Sequence, residues 1–384
     1  MASAPQIAYV PVATAIPVFA TMTPVQCQWQ AIPPDVWGVV QNTNFFTVRQ
    51  HTKLFPKNCC ACPPCVKQEN TYSVYAGLNQ DQQNEFLRVD EVSDDWNRCC
   101  CAPYHPVKLE VRPFVPTPGS GGNTSDFSHI RQDLASSWGS MDVRSRSTAI
   151  KDLYMQYPPL ATMIRHDGQR CCFPVRSPCR WLSTFVCFAC CQDGMDVYAG
   201  SLQDDPEGEK GRPYQLANHQ DRLIGSVVQP IYGGCYRPEL HLSTADASEP
   251  FARMTGPCFF GGWSECCCTY PFPLTSFNNT NKDAEGDLGV VSKIKPKSFA
   301  GAMRELFSEA DVYSLAFGTA NGGLTPAQKI TTLASQLLLD YMIFEGNTEK
   351  CSEDNDAYYC YCCYFMCIGK LCPVYIAIPK NKNQ

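Results

Sequence analysis

The sequence predicts a mainly β protein, a closed antiparallel barrel or a sandwich, with one long apolar helix late in the chain. Short β-type runs follow one another with no helices interleaved, which is the pattern of all-β architectures. In one run Val107, Leu109 and Val111 alternate with Lys108 and Glu110, the period-two signature of a half-buried strand. Only "LTPAQKITTLASQLLLDYMIFEGN" carries a strong helical pattern.

Taken in order, residues 1–45 are rich in Pro, Ala and Val and nearly uncharged, and they read as an extended leader. "FFTVRQ" begins the strand-like material, followed by "TYSVYAGL", "EFLRVDEV" and "VKLEVRPF". "VPTPGSGGNTSD" then breaks the pattern, and Pro, Gly and Ser density marks an insertion at 117–165. Strands resume at "MIRHDGQRCCF", where Asp167-Gly168 reads as a hairpin turn, and continue through "RLIGSVVQPIY", "ELHLSTA" and "FARMTGPCFF". The domain predicted from these runs covers 46–345, leaving a Cys- and Tyr-rich tail at 346–384.

The helix has its own start and stop signals. Thr325 with Gln328 makes a capping box, Pro326 takes the first helical position, and Gly346 is placed to end it. Leu333, Leu337, Leu338, Tyr341, Met342 and Phe344 form a broad apolar surface. About 20 helical residues reach roughly 30 Å, enough for a bilayer or for the middle of a barrel. Asp340 would cost about 2.5–3.5 kcal/mol near a membrane centre, so the helix is expected to plug a core rather than span. The tail segment "AYYCYCCYFMCIGKLCPVYIAI" leaves three readings open: an acylated interfacial segment, a pair of extra strands, or a weak membrane span.

Composition narrows the function. The net charge of −6 argues against a general nucleic-acid binder, and no specific nucleic acid is expected as a partner. The apolar N-terminal stretch has no Lys or Arg before Arg49, so it does not read as a secretory signal. A cytosolic-facing chain keeps its thiols reduced, which disfavours disulfides for the 25 cysteines. Zinc has chelating spacing at Cys62/Cys65 and Cys187/Cys190, but the surrounding doublets do not resolve into paired CxxC modules. S-acylation is the preferred reading. Cys187, Cys190 and Cys191 in "FVCFACC", with Cys171 and Cys172 upstream, lie among aromatic residues beside Arg170, Arg176 and Arg180. Several covalent palmitates would hold a soluble domain firmly, where one chain gives marginal binding.

With those residues on the page, the sequence resembles the phospholipid scramblase family, whose members are similar in fold to the tubby C-terminal domain. "NTYSVYAGLNQDQQNEFLRVDEVSDDWNRCCCAPYHPVKLEV", "LIGSVVQPIYGGCYRPELHL", "MTGPCFFGGWSECCC" and "FAGAMRELFSEADVYSLAF" followed by "LLLDYMIFE" carry the likeness in order. The resemblance implies a tubby-like closed antiparallel barrel of about twelve strands around a buried C-terminal helix. It also implies calcium-dependent movement of phospholipids between leaflets, at the cytoplasmic face of the plasma membrane. The family's acylated cysteine cluster falls at 187–191. Its proposed calcium segment falls at 309–320, where Glu309 and Asp311 are the matching acids and Ala320 stands at a later acidic position. "SKIKPK" lies where the family carries a basic stretch; Lys293, Lys295 and Lys297 read as a solvated turn, with anionic lipid as a second reading.

The expected partners are therefore the phospholipid bilayer and its anionic lipids, with protein partners for the leader. No bond chemistry is expected, since lipid flip-flop runs down a gradient. The competing expectation is an S-acylated, lipid-tethered adaptor without scrambling activity of its own; a zinc-stabilised interaction domain is the remoter one.

Overall fold

The computed structural model describes residues 34–51, 70–77, 85–92, 107–113, 159–166, 193–202, 221–230, 234–279, 286–295, 311–319, 323–344, 351–353, 356–367 and 370–380. Twelve strands form a closed antiparallel barrel. They are β1 (Phe45–His51), β2 (Thr71–Ala76), β3 (Glu85–Glu91), β4 (Val107–Pro113), β5 (Ala161–His166), β6 (Gly194–Ala199), β7 (Leu223–Val228), β8 (Glu239–Thr244), β9 (Ala252–Thr255), β11 (Tyr270–Ser276), β12 (Gly289–Lys293) and β13 (Val312–Phe317). Each pairs with its neighbours in chain order, and β1 closes the ring by pairing with both β2 and β13.

The predicted strands lie where the runs placed them, but three details differ. β5 is a barrel strand paired with β4 and β6, so the insertion predicted to reach 165 ends before Ala161. In β4 Lys108 and Glu110 are buried along with Val107, Leu109 and Val111; the two charges lie within salt-bridge reach of one another, and Glu110 also pairs with Arg112. The leader is not wholly extended, because Pro34–Asn42 forms helix α1. Its Val36 and Val40, one turn apart, are fully buried. The Asp167-Gly168 turn lies outside the described residues.

Helix α2 (Pro326–Leu339) fills the barrel and continues as a π-helical turn over Asp340–Phe344. Thr325 and Gln328 make the reciprocal capping box, and Pro326 occupies the first turn. Every residue from Lys329 to Leu339 is buried, because α2 packs against β6, β7, β8 and β13 and against α1. Where α2 crosses β7 the strand carries Gly225; a Cβ there would clash with the Thr331 hydroxyl and with the Ser243 carbonyl. Lys329 is buried as well, and its Nζ donates to the carbonyls of Val40, Gln41 and Thr43 at 3.1, 2.8 and 2.8 Å. A cation thus satisfies the free carbonyls where α1 ends, and it ties α1 to the plug. No helix among the described residues is long and apolar enough to cross a membrane.

The tail forms strands. β14 (Cys351–Glu353), β15 (Ala357–Cys367) and β16 (Lys370–Pro379) make a second sheet with the two-residue strand β10 (Phe259–Phe260). β15 is its centre, pairing along its length with β16 on one side and with β14 and β10 on the other. Phe260 is fully buried and meets Phe344 of the plug edge-on at 6.4 Å, so the second sheet is keyed to the barrel core.

Candidate functional site

The C-terminal end of the plug meets a buried polar cluster. The π-helical turn presents Asp340 to two strands: Tyr72 of β2 donates to Oδ2 at 2.7 Å and Tyr313 of β13 donates to Oδ1 at 2.6 Å. Asp311 Oδ2 lies 3.3 Å from the Tyr313 hydroxyl. That hydroxyl has a single proton, and the shorter contact assigns it to Asp340. Burial, followed by the charges of Asp340 and Asp311, pushes Tyr313 well above the usual tyrosine range, so the phenol stays a donor.

Asp311 faces a cation. Lys293 Nζ lies 2.9 Å from Asp311 and 3.2 Å from Glu265, and it sits 4.0 Å from the centre of the Phe344 ring. On the other flank Tyr341 donates to Glu91 at 2.9 Å and accepts from the Asn70 amide at 3.2 Å. Gln50 completes the circuit, donating through Nε2 to Asn70 at 3.3 Å and through its backbone N–H to the Asp311 carbonyl at 2.9 Å. Six segments are thereby joined around one helix end: β1, β2, β3, β12, β13 and the 3-10 turn Gly262–Cys266. The arrangement adds directional hydrogen bonds at this end of the plug to the contacts that Thr331 and Lys329 make along it.

The residues singled out from sequence fall into three groups. Leu333, Leu337, Leu338, Tyr341 and Phe344 are buried inside the barrel, with Met342 half-buried against the same core. Of the acids matched to the calcium segment, Glu309 lies outside the described residues. Asp311 is 7% exposed and ion-paired, so a hard cation would have to take its oxygens from an ammonium group that already neutralises them. Cys171, Cys172, Cys187, Cys190 and Cys191 lie outside the described residues. The basic stretch needs one correction: Lys293 is not on a solvated turn but is a buried ion-pair partner at the end of β12, whereas Lys295 is exposed.

Sequence reasoning missed the cluster, although Asp340 signalled it. An acid in the apolar stripe of a helix predicted to be buried requires donors, and tyrosines in flanking strands supply them. A second group of cysteines is visible instead. Cys351, Cys360, Cys362, Cys363, Cys367 and Cys372 are free thiols on the second sheet, and Cys258, Cys267 and Cys268 are free thiols near β10 and the 3-10 turn. Among the described residues, no group of three or more His, Cys, Asp and Glu side chains is disposed to hold a metal ion.

A closed antiparallel barrel of twelve strands plugged by a helix defines the architecture. The Scramblase family profile matches residues 143–346, more than half of the chain, from ahead of β5 through the π-helical turn. The chain belongs to the scramblase family. A search of curated proteins and of solved structures finds no significant match. Strands β1 to β4 precede the matched region yet close the same barrel, and the second-sheet strands β14 to β16 follow it. Membership brings a phospholipid scramblase-type function and an association with the phospholipid bilayer.

Proposed function

We propose that the protein is a calcium-dependent phospholipid scramblase that moves lipids in both directions between leaflets without making or breaking bonds. It acts at the cytoplasmic face of the plasma membrane, where palmitates on Cys171, Cys172, Cys187, Cys190 and Cys191 tether it to anionic lipid. The observation that carries this reading is the family match running through the strands and helix that build the plugged barrel. The barrel interior is filled by α2, so lipid headgroups travel along the outside of the barrel, or through bilayer that it perturbs. Calcium enters as a competitor of Lys293 for Asp311, with Glu309 as a further oxygen donor.

The filled interior favours one second reading, a lipid-tethered adaptor that senses membrane or calcium and recruits partners through the part of the leader ahead of α1. Liposomes carrying a fluorescent lipid that can be quenched only from outside separate the two. Calcium-stimulated loss of the protected inner-leaflet signal, reduced in a Glu309→Gln/Asp311→Asn protein of equal membrane occupancy, is the expected result. Flip-flop no faster than in empty liposomes, at confirmed occupancy, assigns the protein to the adaptor class.

A further inference from the structure

β16 is unlike any barrel strand. From Pro373 to Pro379 all seven residues, "PVYIAIP", are exposed on both faces of the hairpin, with Ile376 at 60% and Ile378 at 51%. None is charged. Lys370 is the one charged residue between Asp356 and Lys380, so lysines bracket a strand that is otherwise apolar. Burial pushes the thiols of Cys363 and Cys372 up, which keeps them neutral. Among the described residues β16 pairs with β15 alone, and no described strand lies along its outer edge.

Such a strand invites another protein strand, a second copy, or lipid. The edge itself argues against strand pairing: Pro373 and Pro379 lack the backbone N–H that an incoming strand needs, a device by which natural sheets blunt their edges. The side chains argue for lipid. Tyr375 meets Tyr359 and Tyr361 with ring centres 5.2 and 5.9 Å apart, giving a tyrosine cluster of the kind that favours the headgroup level. Lys380 sits over Tyr358 at 5.0 Å, a cation held against the aromatic group at the base of the hairpin. Lys380, just past the end of the apolar strand, complements anionic headgroups at the surface. The unpaired edge also sets the depth. A strand of ten residues reaches about 33 Å, the thickness of a hydrocarbon core, but an open edge leaves backbone groups that lipid tails cannot satisfy. The hairpin therefore lies along the interface rather than across the bilayer.

We propose that the β15–β16 hairpin is a membrane-docking element, seated in the headgroup-to-acyl boundary of an anionic bilayer with β16 outermost. This deepens the membrane association of the family reading by naming a surface that touches lipid without any acyl group. The test uses the full chain carrying unmodified thiols and vesicles of phosphatidylcholine with a minority of phosphatidylserine. Wild-type protein is expected to partition onto them, and amides 374–378 to exchange hydrogen more slowly once it has. The pair Ile376→Glu/Ile378→Glu, at exposed positions, is expected to weaken partition by about tenfold or more with an unchanged melting temperature. Equal partition of variant and wild type, or unslowed exchange at 374–378 on vesicles, overturns the proposal. So does a lipid-free dimer that the same substitutions dissolve, which assigns the face to a second copy. Wild-type protein that docks through the hairpin yet leaves flip-flop unaccelerated keeps this inference and removes the scramblase reading alone.

Discussion

The barrel and the second sheet deal with the same problem, a strand's unpaired edge, in opposite ways. In the barrel each strand has a neighbour on both sides, and the inner face is packed by α2. In the second sheet the two longest of the described strands leave one edge without a described partner and present apolar side chains to solvent. A sheet that encloses its own hydrophobic element is complete by itself, whereas the second sheet is complete only with something laid against it. The contrast extends to polar groups. Acids and tyrosines at the end of the plug are buried and matched in pairs, while β16 has no charge between its bracketing lysines.

The largest effect that would sharpen this comparison is expected at Asp340. Replacing it with Ala removes the acceptor 2.7 Å from the Tyr72 hydroxyl and leaves the Tyr313 hydroxyl its longer contact to Asp311 at 3.3 Å. A loss of about 2–3 kcal/mol in denaturant unfolding is expected. A loss below about 1 kcal/mol would mean that the plug is held by packing alone.

His51 of β1 gives a smaller effect that depends on pH. Its Nε2 lies 2.7 Å from Ser73 Oγ, whose own proton goes to Glu85 and which also accepts from Arg88. His51 is therefore the donor and needs no second proton. Burial, followed by the charges of Arg88 and Arg49, lowers its pKa from 6.5 to about 3. Below pH 6.5 the unfolded chain takes up a proton that the folded chain refuses, so stability falls as pH drops from 6.5 towards 3. His51→Gln is expected to remove up to about 1.4 kcal/mol of that fall per pH unit, read as flatter acid unfolding curves. Parallel curves for wild type and variant would place the acid sensitivity elsewhere.

The smallest effect belongs to the hairpin. Ile378→Thr, at an exposed edge position, is expected to change unfolding free energy by no more than about 0.5 kcal/mol. A larger loss would show that the second sheet belongs to the same cooperative unit as the barrel core.

Much of the barrel was legible, for reasons that particular strands make plain. β2, β3, β4 and β8 announce themselves by β-branched and aromatic residues between turn signals. β11, "YPFPLTS", did not, because Pro271 and Pro273 argue against a central strand. The ladder resolves this: β9 pairs with β11 at Leu274–Ser276, so among the described residues the prolines sit where one side of the strand has no partner strand. α1 stayed hidden within the Pro- and Ala-rich leader, since nine residues carry little periodicity and its support, Lys329, lies 286 residues beyond Thr43. For the same reason the polar cluster was only half legible. Asp340 stood out as an acid in an apolar helix, but its donors are separated from it by 268 and 27 residues.

By itself, the sequence determined what depends on short-range pattern: a β-rich chain, one capped apolar helix, and a tail with a long uncharged stretch. Strand period, capping box and charge spacing are local properties, and they survive without any knowledge of neighbours. Tertiary structure alone decided that the helix is enclosed by a ring of twelve strands, that Asp340 is locked by Tyr72 and Tyr313, and that Lys293 is spent on Asp311. It also decided that β16 is left bare. Each of these is a matter of which distant groups share a low-dielectric space or a sheet edge, and closure of the chain on itself sets that sharing.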